Sequence, residues 1–521
     1  MSASRAPQRR VDHRAALERS EPFDLLVVGG GATGAGIALD AVSRGLSVAL
    51  IERFDLSSGT SSRSTKLIHG GVRYLEKAVK QLDRTQFALV RDALHERAVL
   101  IRNAPHLCHP LPLVTPLYSL FQVPYVLTGL KLYDLLAGRA NLRPSRFVGA
   151  REAKRRFPQL KAEGLRGGVV YYDGQFDDAR MNVAIALTAA ERGAVVVTHA
   201  EVTALHHEDG RVAGATVTDR LDGSVVELAA RAIVNAAGPY VDAVRRLDDP
   251  DVVPMLTASS GVHVVLDARF APPDTGLLIP ETDDGRVLFL LPWLGHTLVG
   301  TTDQSASVVD EPRATEEEID YILRHVARYF DLPIERGDVR SAWSGLRPLV
   351  TDPKAADTAG ASRDHVVHVA ASGLVTIAGG KWTTYRRMAA DAVAAAIDAA
   401  GLQPSGPSAT VDVRLVGGER FDPEGAAALQ ARGFDADVAQ HLHWAYGDRA
   451  NQVATLAEAG LAERLAPGHP FIEAEVRYAL RSELAVTTED VLHRRLRLAF
   501  LDADAARTAT PRVEALLAQE A

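Results

Sequence analysis

The sequence has little cysteine, few lysines and no long hydrophobic run, and each shortage excludes a class of protein. Its single cysteine, Cys108, allows neither an intrachain disulfide nor a metal site built on cysteine ligands. No window reaches the roughly 18 apolar residues that a membrane-spanning helix needs. The net charge of −8 argues against a nucleic-acid partner, and we predict no metal site.

The chain is nevertheless long enough for several domains, with 521 residues of ordinary globular composition. Residues 1–20 are polar and rich in Arg and Ala, which predicts a disordered lead-in and no signal peptide. Residues 402–408 (LQPSGPS) have the composition of a linker. We therefore predict a main domain over residues 21–400 and a helical domain over residues 409–521.

Periodicity in the first fifty residues indicates a β-α-β unit. An apolar strand at 23–28 is followed by a small-residue helix at about 33–44 and a second strand at 46–51. Further strands, at 225–229, 232–235 and other places, are separated by long insertions at about 80–165 and 255–370. The predicted fold class is α/β: a doubly wound, Rossmann-like domain with an inserted mixed β region for substrate and an all-α C-terminal domain.

The glycine pattern Gly29-Gly30-Gly31-Ala32-Thr33-Gly34 is a G-x-G-x-x-G motif between the first strand and the first helix. Such a turn lets the backbone approach a pyrophosphate, and Glu52 closes the next strand where an acid binds a ribose. Glycines recur at two later strand ends, 235–238 and 379–380. A nicotinamide cofactor does not need these segments, whereas the long ring end of a flavin does, so we predict FAD.

The stretch from Asn103 to Leu130 contains no Asp, Glu, Lys or Arg but has five prolines. Proline breaks a helix, so this stretch is not a membrane span. Two interpretations remain open: a folded cap over a pocket, or a surface that dips into a membrane.

Five segments are specific enough to indicate a family: residues 60–75 (TSSRSTKLIHGGVRYL), 172–180 (YDGQFDDAR), 300–303 (GTTD), 344–349 (SGLRPL) and 379–386 (GGKWTTYR). Together they resemble the FAD-dependent, quinone-linked glycerol-3-phosphate dehydrogenases. The resemblance runs from about residue 22 to at least residue 390, and the helical tail fits the family's C-terminal domain.

The resemblance implies a set of residues at the FAD: Gly29, Gly30, Gly31, Ala32, Thr33, Gly34, Glu52, Arg53, Thr60, Ser61, Ser64, Lys66, Leu67, His69, Gly70, Val202, Ala236, Gly238, Gly380, Lys381 and Thr383. Hydroxyls in this set can bind flavin or pyrophosphate. A cation such as Lys381 stabilises the negative charge of a reduced flavin.

The resemblance also implies a substrate site made of Arg73, Tyr74, Arg347, Arg363 and Lys381. Arginine's planar fork suits a phosphate ester. The implied reaction removes a hydride from C2 of glycerol 3-phosphate while a base takes the hydroxyl proton. The implied catalytic residues are His263, Arg347 and His69. The family pattern has a basic residue before Gly261, where this chain has Ser260.

We expect the reaction to give dihydroxyacetone phosphate and to pass electrons to a quinone. The alternatives are an oxidase that reduces oxygen, a flavin-binding partner protein without activity, and a flavin oxidase of amines or amino acids. A quinone acceptor implies a cytoplasmic protein held peripherally on the inner face of the cell membrane. The sequence leaves the oligomeric state open, a homodimer included.

Overall fold

The computed structural model describes residues 9–71, 84–351 and 365–520, and these residues form two β-sheets and a C-terminal group of helices. The strands in chain order are β1 (Phe23–Val28), β2 (Val48–Ile51), β3 (Leu67–Ile68), β4 (Cys108–Leu117), β5 (Arg146–Gly149), β6 (Gly167–Phe176), β7 (Val195–Val197), β8 (Ala200–Glu208), β9 (Arg211–Asp219), β10 (Val225–Asn235), β11 (Leu256–Asp267), β12 (Gly276–Ile279), β13 (Leu288–Trp293), β14 (His296–Gly300), β15 (Gln304–Ala306), β16 (Val339–Val350), β17 (His365–Val369) and β18 (Val375–Gly379).

The described α-helices in chain order are α1 (Arg10–Ala15), α2 (Ala32–Ser43), α3 (Arg84–Asn103), α4 (Gln122–Ala137), α5 (Ala150–Arg156), α6 (Asp178–Glu191), α7 (Val241–Asp248), α8 (Glu316–Ala327), α9 (Tyr385–Ala400), α10 (Gly425–Ala431), α11 (Ala436–Tyr446), α12 (Ala450–Leu456), α13 (Glu473–Ser482), α14 (Leu498–Leu501) and α15 (Ala503–Ala518). Two π-helical turns, Ala457–Leu461 and Asp490–Arg495, interrupt the C-terminal helices.

The first sheet is the predicted doubly wound one. Its parallel strands lie in the order β18-β10-β1-β2-β7, with β17 antiparallel at the edge. Two strands predicted at 225–229 and 232–235 are one continuous strand, β10. Its first half pairs antiparallel with β9 and its second half pairs parallel with β1. The burial pattern changes accordingly, from alternating to continuous along the strand.

Helices cover one face of this sheet and a β-hairpin covers the other. Apolar residues of α2, α6 and α9 pack together with β1, β2 and β10. These helices approach closely because they carry small residues; a Cβ at Gly36 of α2 would overlap the ring of Tyr385 in α9. The β8–β9 hairpin packs on the opposite face. The candidate site lies at the carboxyl ends of the parallel strands, between the helices and the hairpin.

The second sheet is built from both predicted insertions. Its order is β15-β11-β14-β13-β12-β4-β6-β3, with β16 beside β11 and β5 beside β6. Strand β4 covers the first part of the uncharged 103–130 stretch and buries Leu111, Leu113 and Leu117. That part is therefore core, as the cap interpretation expects. The second part begins α4, whose outer face is exposed.

The C-terminal helices pack on the second sheet. Their apolar cluster includes Trp293 of β13 and Trp343 of β16. The predicted linker at 402–408 has no helix or strand, but Ser405 N–H donates to Arg44 O (2.7 Å). The linker is therefore attached to the end of α2 rather than free along its length.

The prediction of a disordered lead-in is wrong from Arg10 onward. Residues 10–15 form α1, and the guanidinium of Arg10 is buried, where it donates to Asp219 Oδ2 (2.6 Å) and Thr198 O (2.7 Å). Leu17 is also buried. A polar segment can fold in this way when its charges find partners far along the chain, and local composition does not reveal such partners.

Candidate active site

The glycine-rich turn between β1 and α2 is shaped so that only glycine fits at its key positions. Gly29 has φ +111°, and a Cβ there would meet Ala236 O at 2.7 Å. A Cβ at Gly34 would overlap Gly29 O. Thr33 and Gly34 follow Ala32 in the first turn of α2, where backbone N–H groups have no partner within the helix. The turn therefore offers bare backbone and a helix N-terminus to an anionic group.

Glu52 directly follows β2 and binds the backbone of this turn. Its carboxylate is buried and accepts from Gly30 N–H (2.6 Å) and Phe54 N–H (2.8 Å). Burial raises the pKa of Glu52, and the two amide hydrogen bonds oppose that shift. Each carboxylate oxygen keeps a second lone pair, so a ribose hydroxyl can still donate to it. The turn and Glu52 together fit the adenosine and pyrophosphate half of a dinucleotide.

The segment 55–66 crosses over the turn and reaches the second sheet. Ser61 Oγ accepts from Ala32 N–H (2.9 Å), and Trp382 Nε1 donates to Ser61 O (2.9 Å). Thr60 Oγ1 donates to Leu346 O (2.5 Å) of β16. Residues 60–62 form one 3-10 turn. This segment therefore connects the glycine turn to the strands that carry the predicted catalytic residues.

Residues 69 and 70 are fixed by a polar network. Gly70 N–H donates to Tyr133 Oη (2.7 Å), whose hydroxyl donates to Asp173 (2.9 Å). Arg97 also binds Asp173 (2.6 Å). On the other side, His69 N–H donates to Thr383 Oγ1 (3.3 Å). The predicted residues His69, Gly70 and Thr383 thus lie together. Thr383 follows β18, and β10 separates β18 from β1, which leads into the glycine turn.

His263 lies on β11, between the neighbouring strands β14 and β16. Its ring stacks on Trp343 with a centroid distance of 4.4 Å, and a Cβ at Gly300 would overlap it. Nε2 of His263 lies 3.0 Å from the hydroxyl of Thr65, while Nδ1 has no partner among the described residues. Burial, together with the charges of Lys66 and Arg347, holds the pKa of His263 well below its ordinary value. The imidazole is therefore neutral and able to accept a proton.

Lys66, predicted to bind the cofactor, has its side chain elsewhere. Its ammonium is buried and donates to Asp178 Oδ2 (2.7 Å), Ser62 O (2.9 Å) and Ser64 O (3.1 Å). Burial lowers the pKa of Lys66 to about 8 in spite of the opposing charge of Asp178. All three donors of the ammonium are used within the protein, so Lys66 stays a predicted cofactor residue through its backbone only. Ser64 binds the same Asp178 through N–H and Oγ.

Arg347 lies on β16 beside His263, and its terminal nitrogens contact protein acceptors. NH1 donates to Ser260 O (2.9 Å), with Ser259 Oγ and Asp303 Oδ1 each at 3.3 Å. NH2 donates to Thr301 Oγ1 and Thr302 O, both at 3.0 Å. Ser260 replaces the basic residue of the family pattern, so its backbone alone contributes here. The guanidinium predicted to bind phosphate is present, but a phosphate must displace some of these acceptors to reach it.

The other predicted residues flank these groups. Ala236 and Gly238 follow β10 next to Gly29, and Val202 lies two residues after Ala200, whose N–H donates to Glu52 O (2.9 Å). The guanidinium of Arg53 lies 4.5 Å from the ring of Tyr240.

Among the residues predicted to contact the flavin, Leu67 is buried in β3. Gly380 precedes Lys381, which caps the 3-10 turn Trp382–Thr384. The predicted phosphate ligands Arg73, Tyr74 and Arg363 lie outside the described residues.

Sequence reasoning missed two contacts of His263, Thr65 and Trp343. Thr65 stands in the middle of the recognised 60–75 motif, beside hydroxyls that were predicted to bind the cofactor. Trp343 directly precedes the recognised 344–349 segment. Their proximity to motif residues was the available signal, but the side-chain contact that joins Thr65 to His263 spans 198 positions, and no local pattern indicates it.

Comparisons with known proteins agree with this geometry. A family model described as FAD dependent oxidoreductase matches residues 24–386, and one described as the C-terminal domain of alpha-glycerophosphate oxidase matches residues 408–521. The chain is 50% identical to the mitochondrial glycerol-3-phosphate dehydrogenase of Arabidopsis thaliana, covering 97% of this chain and 84% of the relative. It is 49% identical to the mitochondrial glycerol-3-phosphate dehydrogenase of Mus musculus, over 99% and 73%.

Solved structures extend the likeness to the fold. A glycerol-3-phosphate dehydrogenase from Bacillus halodurans complexed with FAD superposes with a TM-score of 0.80 at 32% identity, covering 98% of this chain and 93% of that one. An L-alpha-glycerophosphate oxidase from Mycoplasma pneumoniae with FAD bound gives a TM-score of 0.56 at 16% identity, over 74% and 96%. The second likeness concerns the fold alone.

Proposed function

Because the chain belongs to the FAD-dependent glycerol-3-phosphate dehydrogenase family, we propose that it oxidises sn-glycerol 3-phosphate to dihydroxyacetone phosphate and passes the electrons to a quinone. FAD is the cofactor. The observation that carries the proposal is one continuous path of contacts. It runs from the glycine turn through segment 55–66 to His263 and Arg347.

When bound, FAD supplies the hydride acceptor. The protein must then remove the hydroxyl proton and hold the phosphate. Thr65 is partly exposed, whereas His263 behind it is buried, so we assign the first contact with the substrate hydroxyl to Thr65 Oγ1. His263 Nε2, 3.0 Å from that oxygen, takes the proton. The neutral imidazole can accept this proton, and its lowered pKa makes it a weaker base than an ordinary histidine.

Arg347 is the proposed phosphate ligand among the described residues. Two of its contacts are to the hydroxyls of Ser259 (3.3 Å) and Thr301 (3.0 Å), and a third is an ion pair with Asp303 at 3.3 Å. A phosphate forms shorter, charge-assisted hydrogen bonds with a guanidinium, so it can replace them. The contacts to Ser260 O and Thr302 O would keep the guanidinium oriented. Arg73, Tyr74, Arg363, Lys381 and His69 stay predicted members of the site.

Anaerobic reduction of the yellow protein tests the proposed reaction. Addition of glycerol 3-phosphate is expected to bleach the flavin band near roughly 450 nm. Reoxidation by a soluble quinone analogue should then be much faster than reoxidation by dissolved oxygen. Fast oxygen consumption with peroxide release would instead identify an oxidase, and an unbleached flavin would indicate a protein without this activity.

Glu52→Gln is expected to weaken FAD binding about tenfold, equivalent to ~1.4 kcal/mol. The amide replaces one of the two carboxylate oxygens by a donor, which then faces the N–H group of either Gly30 or Phe54. The measurement is FAD titration of apoprotein by flavin fluorescence. Glu458→Gln is the control, because Glu458 pairs with Arg432 at the surface of the C-terminal helices. Equal affinity in both variants would exclude Glu52 from the cofactor site.

Among the described helices, none has the length and apolar character needed to cross a membrane. The curated relatives are named as mitochondrial, so the predicted cytoplasmic location has no support from them. Peripheral attachment to a membrane stays part of our proposal, since a quinone is dissolved in the bilayer. A homodimer and the inner-face location also stay predictions.

The outer face of α4 is the proposed membrane contact. Phe121 is 96% exposed and Leu135 75%, and they lie on one helical face with Tyr125. Within the uncharged 103–130 stretch, Leu117 is buried and Leu127 packs against the core. Lys131 on the same face suits an anionic lipid surface. The proposed contact is therefore confined to the outer face of α4, with Phe121 at its N-terminal end.

Phe121→Asp with Leu135→Asp is expected to release the protein from anionic vesicles while dye-linked activity is kept. Charged groups at an apolar contact oppose insertion at the interface, and neither side chain supports the core. Vesicle co-sedimentation measures the effect. Val253→Asp is the matched control, since Val253 is 77% exposed but lies outside α4. Unchanged binding of the double variant would place the membrane contact elsewhere.

A further inference from the structure

Three arginines of the C-terminal region converge on the segment that covers the glycine turn. Arg494 and Arg495 belong to the π-helical turn Asp490–Arg495, and Arg497 follows it with φ +67°. A π-turn changes the angular spacing of side chains along a helix. Consecutive arginines, which a regular α-helix would separate by about 100°, here reach the same carboxylate.

That carboxylate is Asp55, three residues after Glu52. Arg494 Nε donates to Asp55 Oδ2 (2.6 Å), and Arg495 binds the same group through NH1 (2.7 Å) and NH2 (3.0 Å). Arg497 NH2 donates to Ser62 O (2.7 Å). The arginines therefore contact segment 55–66 near both its ends. Ser61, which binds Ala32 N–H at the start of α2, lies between these two anchors.

The node formed by Asp55, Asp490, Arg494, Arg495 and Arg497 is buried throughout. Although burial alone would raise the pKa of Asp490, the hydrogen bond from His199 and the charges of Arg494 and Arg495 hold it well below its usual range. Asp490 also binds Arg494 NH2 (2.8 Å). Buried charges are strongly destabilising unless they are paired with good geometry. The node consequently fixes the position of whatever it contacts.

A second buried pair extends the node toward the catalytic histidine. Arg497 NH2 lies 3.6 Å from Asp178, which binds Lys66 and Ser64. Thr65 stands between those two residues and contacts His263 (3.0 Å). The same arginine can therefore influence both the glycine turn, through Ser62, and the hydroxyl of Thr65, through Asp178.

We propose that Arg494, Arg495 and Arg497 are positioning residues of the FAD site. Through Asp55 and Ser62 they set the geometry of segment 55–66, and with it the positions of Ser61 at the glycine turn and of Thr65 at His263. The C-terminal region thus acts on the cofactor site through this node as well as packing on the second sheet. The inference rests on FAD occupying the turn and does not depend on the substrate. Failure of glycerol 3-phosphate to bleach the flavin would contradict the proposed reaction but not this inference.

Arg495→Lys and Arg497→Lys test the proposal, because each keeps a positive charge and loses the guanidinium hydrogen bonds. Arg512→Lys is the control: Arg512 makes a two-bonded pair with Glu473 within the C-terminal helices and contacts nothing in segment 55–66 among the described residues. The readouts are the FAD dissociation constant, the visible circular dichroism of bound flavin and the melting temperature.

We expect about a tenfold rise in the FAD dissociation constant and an altered flavin dichroism in both node variants. The control should show neither, even if its melting temperature falls. If the node variants lose melting temperature but bind FAD with wild-type affinity and dichroism, the node only joins the domains and the proposal is wrong. Should Arg495→Lys not fold, Arg497→Lys decides, since it leaves the Asp55 pairs intact.

Discussion

Replacing His263 with glutamine is expected to lower the rate of flavin reduction by glycerol 3-phosphate about 10²- to 10⁴-fold, the range that a general base contributes. Glutamine can keep the hydrogen bond to Thr65 but cannot accept a proton. FAD affinity should stay unchanged, because His263 does not contact the glycine turn. Stopped-flow absorbance under anaerobic conditions gives the rate directly, before any acceptor is involved.

Two controls separate catalysis from packing in this prediction. His207→Gln removes a surface histidine that pairs with Asp248, and it should leave the rate unaltered. Thr65→Val should lower the rate as well, whereas Thr65→Ser, which keeps the hydroxyl, should restore most of it. Normal flavin reduction in His263→Gln would show that the base lies elsewhere, for instance at His69.

The pH profile gives an independent check on His263. Its pKa lies well below the ordinary value, because burial and the charges of Lys66 and Arg347 disfavour the imidazolium. The group is then already deprotonated in mildly acidic solution. Protonation of His263 should therefore not lower the rate of flavin reduction between about pH 8 and about pH 6. An acidic limb centred near the ordinary histidine pKa, and absent from His263→Gln, would contradict the burial argument.

Local patterns were sufficient to predict the nucleotide-binding half of the fold. Strand β1, the Gly29–Gly34 turn, α2 and Glu52 follow one another within about thirty residues, and each needs a particular residue type. The continuity of β10 was not predicted, because its first half alternates like a hairpin strand and its second half is uniformly buried. Each half looked like a separate strand when only its local pattern was considered.

The site was harder to predict where it depends on charges that are distant in sequence. Lys66 sits in a motif whose residues we predict to bind the cofactor, yet its ammonium pairs with Asp178, 112 positions away. Arg494 and Asp55 are separated by 439 positions. Arg10, in a segment with a disordered composition, is ordered by Asp219. Such pairs are decided by the packing of whole domains, and no local periodicity or spacing encodes them.

Arg347→Lys is expected to raise the Michaelis constant for glycerol 3-phosphate about thirtyfold, which corresponds to ~2 kcal/mol for a lost two-bonded contact with the phosphate. Lysine keeps the charge but presents a single ammonium instead of a planar fork. Steady-state kinetics with a dye acceptor measures the constant, and glycerol serves as the substrate without a phosphate. The effect on glycerol should be much smaller. Arg340→Lys is the matched control, because Arg340 lies on the same strand and pairs with Asp267 at the surface.

The structure makes this prediction sharper than the sequence alone could. Arg347 also holds Ser260 O, Thr301 and Thr302 O around His263, so its loss has a second consequence to be separated from phosphate binding. If Arg347→Lys disorders residues 300–303, oxidation of both substrates should slow equally, because both reactions need the base. A missing phosphate ligand would affect glycerol 3-phosphate alone. Equal losses for the two substrates would therefore show that Arg347 only supports the loop, and the phosphate site would have to be sought among Arg73, Arg363 and Lys381.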